Sequence, residues 1–282
     1  MNKKSVVKKM QKRYLHIPPA KRIILLVMGI LILTVVGIGI GSKIVSKGSG
    51  RGNDYLTDNS NEVVNAGDTD GTSHAGEIKP KEVIVVIDPG HGGEDWGAYS
   101  GTLYEKDINL DISLKLGKLL EDLGVKVVYT RETDVFVDLD PRVELANRLD
   151  ATLFISVHSN SLPDNSEYKG TETLYCPSSN PRYSKMDGKK LATIVQKELI
   201  NALGTVDNGI IERPNLVVLR KTVMPAVIAE IAYISNPSDR AKLADDAFRQ
   251  KAAQALANAV MKALDEMGMV KDENGNYMII PN

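Results

Sequence analysis

The sequence predicts an α/β domain with a mostly parallel central sheet and helices on both faces, preceded by one N-terminal transmembrane helix. Three observations lead there. From Val83 onward, short runs of branched apolar residues alternate with segments of helical period. Near the start of the chain stand twenty residues without a charge, 23–42. Between these regions, 46–80 is rich in Gly, Ser, Asn, Asp and Thr and keeps no apolar periodicity.

In chain order, residues 1–22 form a basic segment with eight Lys or Arg and no acid, expected in the cytoplasm. The run 23–42, IILLVMGILILTVVGIGIGS, spans about 30 Å at about 1.5 Å per residue, the thickness of a bilayer's hydrocarbon core. Only Lys43, Lys47 and Arg51 follow closely, so the positive-inside rule puts everything after the run outside the cytoplasmic membrane. The alternative is a cleaved signal peptide. Its apolar region is usually about 7–15 residues and ends in an A-x-A-like site, whereas this run is longer and ends in GIGIGSK. Residues 43–80 read as a disordered extracytoplasmic linker. The 35 residues of 46–80 give an end-to-end distance of roughly 30–35 Å.

The body follows, 81–267. Strands are predicted at 83–87 (VIVVI), 125–130 (VKVVYT), 151–157 (ATLFISV), 171–176 (TETLYC), 216–220 (LVVLR) and 226–234 (AVIAEIAYI). Helices are predicted at 106–123, closed by Gly124, at 141–149, opened by Pro141, and at 188–203 and 246–267. The tail 268–282 carries an Asn-Gly signal for a small hairpin. The body holds 22 basic and 28 acidic residues, a net −6, so the formal −1 of the whole chain is a cancellation against the basic head. A body of that sign is a poor match for a phosphate backbone, which argues against nucleic acid. With one cysteine, Cys176, no intramolecular disulfide exists and the fold rests on its core.

In open α/β sheets ligands bind outside the carboxyl ends of the strands. The body has only two histidines, His91 and His158, and each follows a strongly apolar strand, VIVVIDPGH and LFISVH. Their shared position points to a metal or catalytic site, against the plainer reading of two satisfied structural histidines. Glu105 is a candidate third ligand, since catalytic zinc commonly takes three protein ligands and leaves one position for water. An acid at a helix N-terminus also favours the macrodipole without any metal. Glu230 interrupts the apolar run AVIAEIAYI, where an unpaired carboxylate is costly. It needs a metal-bound water, a raised pKa or an ion pair, for instance with Arg220. Cys176 sits in an alternating strand before a Pro and reads as a small buried hydrophobe rather than a nucleophile.

The segments VIDPGHGGEDWGA, EKDINLDISLKLGKLL, VVYTRETDVFVDL, RVELANRLDATLFISVHSN, GTETLY, LVVLR and MPAVIAEIAYISNPSD run in that order through nearly the whole body. In this the chain resembles the zinc-dependent N-acetylmuramoyl-L-alanine amidases of the amidase-3 type, peptidoglycan hydrolases with an α/β fold. The resemblance implies one Zn2+ ion bound by His91, Glu105 and His158, with Glu230 as general base. It implies peptidoglycan as substrate, cut at the amide between N-acetylmuramic acid and L-alanine. Asn160 and Arg142 fall on motif positions, which implies a supporting or substrate-contact role. Ala232 and Tyr233 stand where the family often shows Gly and Phe. The alternatives are a silent peptidoglycan-binding or regulatory module on the same fold, a zinc peptidase acting within the stem peptide, and a cysteine enzyme using Cys176. The sequence specifies no protein activator, and it leaves spore-cortex and vegetative wall roles equally open.

Overall fold

The computed structural model describes residues 79–177 and 185–280. The basic segment, the expected transmembrane run and all but the end of the linker lie outside these residues. Among the described residues no helix is long and apolar enough to cross a membrane.

The chain enters through β1 (Lys81–Glu82) and β2 (Ile84–Pro89), then makes a small hairpin of β3 (Tyr99–Ser100) and β4 (Leu103–Tyr104). Helix α1 (Glu105–Asp122) leads to β5 (Lys126–Tyr129), and α2 (Leu139–Arg148) leads to β6 (Leu153–Asn160). Next come β7 (Thr171–Tyr175), α3 (Gly188–Leu203), β8 (Asp207–Glu212), the single turn α4 (Val217–Arg220) and β9 (Ala226–Tyr233). Two helices, α5 (Pro237–Ala244) and α6 (Asp246–Met267), precede the short strands β10 (Val270–Lys271) and β11 (Tyr277–Ile279).

Six strands form the central sheet in the order β5-β2-β6-β9-β7-β8. All neighbours are parallel except β7 and β9. From β2 the chain crosses to β5 on one side and then to β6 on the other. That is the kind of switch point where open α/β sheets form a crevice at their carboxyl ends.

Alternation along the strands divides the core. Val85, Ile87, Leu153, Ile155, Val157, Val227, Ala229 and Ile231 pack with α1, α3 and α6. Val86, Phe154, Leu174 and Ile228 face the other way, onto α2 and α4. The second face is covered by one ten-residue helix and a single turn, so its carboxyl edge stays partly open. His158 and Glu230 share the parity of that thinner face and stand opposite each other in register.

Several elements differ from the sequence expectation. LVVLR is a helical turn rather than a strand, because a short apolar run does not distinguish the two by periodicity. Helix α2 starts at Leu139, two residues before Pro141, since Asp138 caps it. Pro141 is tolerated there because a first-turn N–H has no intrahelical partner. Strand β8, DNGIIE, was hidden by its Asn-Gly pair and its place at the sheet edge. Helix α5 had a legible start that the expectation omitted: Asn236 caps Ser238 and Asp239, and Pro237 follows at the first position. The tail does form the Asn-Gly hairpin, and β11 also pairs with β1 and buries Ile279 in the core. It is therefore part of the domain rather than an appendage.

Candidate metal centre

The turn after β2 is built to an unusual shape. His91 itself takes φ 62°, a left-handed conformation that costs a non-glycine residue about 1–2 kcal/mol. Two buried arginines hold it. Arg131 donates to the carbonyls of Pro89, Gly90, Thr133 and Lys106 at 2.8–3.1 Å. Arg142 donates to the carbonyls of Pro89, Val137 and His91 at 2.8–2.9 Å, and to Asp88 Oδ1 at 2.7 Å. Asp88 is fully buried and also accepts from Thr130 and Ser156. Burial opposes its ionisation, yet the Arg142 charge and these hydrogen bonds hold its carboxyl below the usual range.

This frame brings three side chains together. Glu105 Oε1 lies 3.2 Å from His91 Nε2 and 3.0 Å from His158 Nδ1. The ligand atoms of the three residues all fall within 4.8 Å of one another. Donors about 2.1 Å from a tetrahedral zinc stand about 3.4 Å apart, so the spacing and the two-nitrogen, one-oxygen donor set fit that ion. Outer contacts orient two of the three donors. His91 Nδ1 bonds Asp95 at 2.8 Å, which turns Nε2 to the centre. Glu105 accepts from the backbone N–H of Ala98 and Ser159 and from Asn109. It is therefore held facing both imidazoles, where it could serve as a ligand, and does not serve only the helix dipole.

Two glycines make room. A Cβ at Gly90 would sit 2.2 Å from His158 Nε2, and one at Gly97 would meet Glu105 and His91 at 2.5–2.6 Å. Burial alone would lower the pKa of His91, but Glu105 and Asp95 lift it to about 9. His158 is raised in the same way, burial being outweighed by Glu105. Glu105, despite its burial, is held far below the usual carboxylate range by the two imidazoles. These are metal-free values. The reciprocal pull shows that the carboxylate and the two imidazoles favour one another's charged forms.

Glu230 stands beside this cluster, across from His158 on one side and Glu172 on the other. It is 8% exposed, and among the described residues its Oε2 has no hydrogen-bond partner. Burial pushes its carboxyl up to about 7, with His158 opposing and the neighbouring carboxylates adding to the rise. No ion pair joins it to Arg220, which is exposed at the end of α4. A cleft of about 420 Å³ opens next to His91 and His158, walled by Phe136, Leu139, Leu216, Val217 and Ile228.

The other sequence candidates fall differently. Arg142 borders the cleft but is 3% exposed and committed to Asp88 and three carbonyls, so it positions the turn and does not offer itself to substrate. Asn160 gives its amide to Glu172 at 2.8 Å and to the Tyr233 hydroxyl at 3.2 Å. Its carbonyl oxygen accepts from Ser161 N. It braces the wall behind Glu230 rather than pointing a free donor at the centre. Cys176 lies beyond β7 against Pro177, and burial raises its thiol pKa, the opposite of nucleophile activation. Asp88, Arg131 and Glu172 were not singled out from sequence. Arg131 directly follows the apolar strand VVYT, so the strand-end rule that found the histidines finds it too.

Residues 85–262 match the amidase-3 family, described as N-acetylmuramoyl-L-alanine amidase. The chain is 38% identical over 187 residues to the N-acetylmuramoyl-L-alanine amidase LytC of Bacillus subtilis (strain 168), a match covering 66% of this chain and 36% of LytC. Among solved structures, the catalytic domain of the amidase CwlV from Bacillus (Paenibacillus) polymyxa var. colistinus is 39% identical with a TM-score of 0.60. That match covers 65% of this chain and 98% of the domain. The CwlD amidase of Clostridioides difficile, solved with the GerS lipoprotein, is 30% identical with a TM-score of 0.60 over 65% of this chain and 98% of CwlD.

Two outcomes follow from the geometry. Arg142→Met leaves Asp88 buried without its cation and is expected to lower stability by about 3–5 kcal/mol in urea unfolding at pH 7. A loss under about 1 kcal/mol would mean the pair does not hold the turn. The second concerns Glu230. Its folded carboxyl, near 7, keeps a proton that the unfolded chain releases near pH 4.5, so this residue lowers the stability of metal-free protein as pH rises through that window. Glu230→Gln, compared after chelation, should be about 3 kcal/mol more stable than the parent at pH 8 and within about 1 kcal/mol of it at pH 5. Parallel pH profiles for the two proteins would refute the shift.

Proposed function

The chain belongs to the N-acetylmuramoyl-L-alanine amidase family, and from that premise we propose that it works with one zinc ion held by His91, Glu105 and His158 and with Glu230 as general base. It is a peptidoglycan hydrolase that cleaves the amide between N-acetylmuramic acid and L-alanine of the stem peptide. The observation that carries the mechanism is the buried, unpartnered Oε2 of Glu230 beside the three clustered ligands. A silent binding module has no need of an uncompensated carboxylate at that point.

When bound, zinc supplies Lewis-acid polarisation and lowers the pKa of water toward ~7. The chain's own residues do the rest. Asp95 fixes the His91 tautomer so that Nε2 serves the metal. The cleft walls hold the substrate and exclude bulk water from one side of the centre. Glu230 Oε2 accepts a proton from the attacking water as oxygen bonds to the lactyl carbonyl carbon. It then returns that proton to the nitrogen of L-alanine as the C–N bond breaks. A carboxyl poised near 7 suits both transfers. Asn160, Glu172 and Tyr233 keep the adjoining wall in place.

We place the enzyme at the cytoplasmic membrane, N-terminus inside, with residues 23–42 as a single span and the catalytic domain facing the cell wall. The charge step across that run and the composition of the linker support this reading. Protease added to intact protoplasts should remove a C-terminal tag; a tag that survives until lysis would overturn the orientation.

The activity is tested by mass spectrometry of peptidoglycan digested with the zinc-supplied protein. New L-alanine amino termini and peptide-free glycan are expected. Glu230→Ala should reduce both by at least about a hundredfold with metal content unchanged. Cleavage inside the stem peptide would overturn the assigned bond.

A further inference from the structure

We propose that Trp96, Tyr99 and Tyr104 form a stacking platform for the glycan strand of the substrate. The proposal rests on the amidase reading and names where one arm of that substrate lies.

Aromatic residues make up only 5% of the chain, yet three gather within 96–104, between the ligands His91 and Glu105. Trp96, the only tryptophan, is 48% exposed, and Tyr99 is 62% exposed. The rings stand 5.3 Å apart for Trp96 and Tyr104, 6.0 Å for Trp96 and Tyr99, and 6.1 Å for the two tyrosines. Their mutual contacts hold them as a unit, but the cluster has no cover among the described residues and contributes little to the core.

The platform is tied to the metal centre through the backbone. Tyr99 and Tyr104 pair across the β3–β4 hairpin. Lys106 N donates to Trp96 O, Glu105 N to Ala98 O, and Ala98 N back to the Glu105 carboxylate. A ligand seated on the rings is thereby set at a fixed place beside the reacting bond.

The scissile amide joins two chemically different arms, and both must leave the centre. The cleft walled by Phe136 and Leu139 takes one arm, and none of the three rings lines it. In sequence the three rings are flanked by the acids Glu94, Asp95 and Asp107, while the adjoining cation, Lys106, is engaged by Asp134 at 2.6 Å. A stem peptide brings carboxylates that these acids repel. A glycan strand is uncharged at this point, and its pyranose rings present flat C–H faces to aromatic faces. Seating the same rings in a bilayer interface would press the metal centre against lipid and away from the wall, which disfavours membrane as the occupant.

Because Trp96 is the only tryptophan, its fluorescence in the full chain reports on the platform directly. The probes are the uncharged tetrasaccharide of N-acetylglucosamine, a free stem tripeptide, and phosphatidylglycerol vesicles. The expected result is a saturable change with the tetrasaccharide alone, retained in Glu230→Ala and shifted at least fivefold to higher concentration in Tyr99→Ala. Indifference to the tetrasaccharide, or a response only to the peptide or only to vesicles, overturns the proposal. Glycan binding needs no hydrolysis, so the two readings fail separately. A protein that cuts peptidoglycan without a Trp96 response sinks the platform and leaves the amidase. A Trp96 response to glycan in a protein that cuts nothing supports the platform and sinks the amidase.

Discussion

The ion pair between Asp88 and Arg142 is the constraint on which the site depends. Both groups are removed from water, and their 2.7 Å contact sits at the point where a central strand ends. A buried pair of this kind is a poor source of net stability, because desolvation offsets most of the attraction. Its value here is geometric. Once Asp88 fixes the guanidinium, the remaining donors of Arg142 reach the carbonyls of Pro89, Val137 and His91. Arg131 secures Pro89 and Gly90 from the other side. The left-handed backbone of His91 persists because its surroundings over-determine it.

From that turn the rest of the centre follows by register. Pro89 lies beside Val157 and His158 beside Glu230, so three adjacent parallel strands deliver their terminal side chains to one edge. The thin cover of the second sheet face leaves that edge accessible. Glycines at 90 and 97 let the imidazoles and the carboxylate close to ligand spacing. The loop between His91 and Glu105 carries the exposed aromatic rings, so the turn that fixes this cluster also fixes what stands beside it.

Sequence patterning made the fold class legible, together with most of the elements that matter. Strands alternating with helices gave the parallel sheet, and the final helix was legible from its Phe248–Leu256–Leu264 spacing. LVVLR and DNGIIE were not legible, since short apolar runs take their conformation from what they pack against. The four clustered residues were visible as departures from pattern: two histidines after apolar strands, an acid opening a helix, and an acid inside a buried strand. Arg142 shows the limit. Its motif position was visible, but the burial that commits it to Asp88 and backbone carbonyls is a property of the assembled fold.

By itself the sequence determined which side chains are candidates to bind a metal and move a proton, because residue type and strand-end position carry that chemistry. It also determined that the body is an α/β sheet, because periodicity is local. Only the tertiary structure decided that Glu105 bridges both imidazoles, that Glu230 is left with an unpartnered oxygen, and that Arg131 and Arg142 serve the backbone. Those facts depend on contacts between segments tens of residues apart, and no local pattern encodes which donor will be spent on which acceptor.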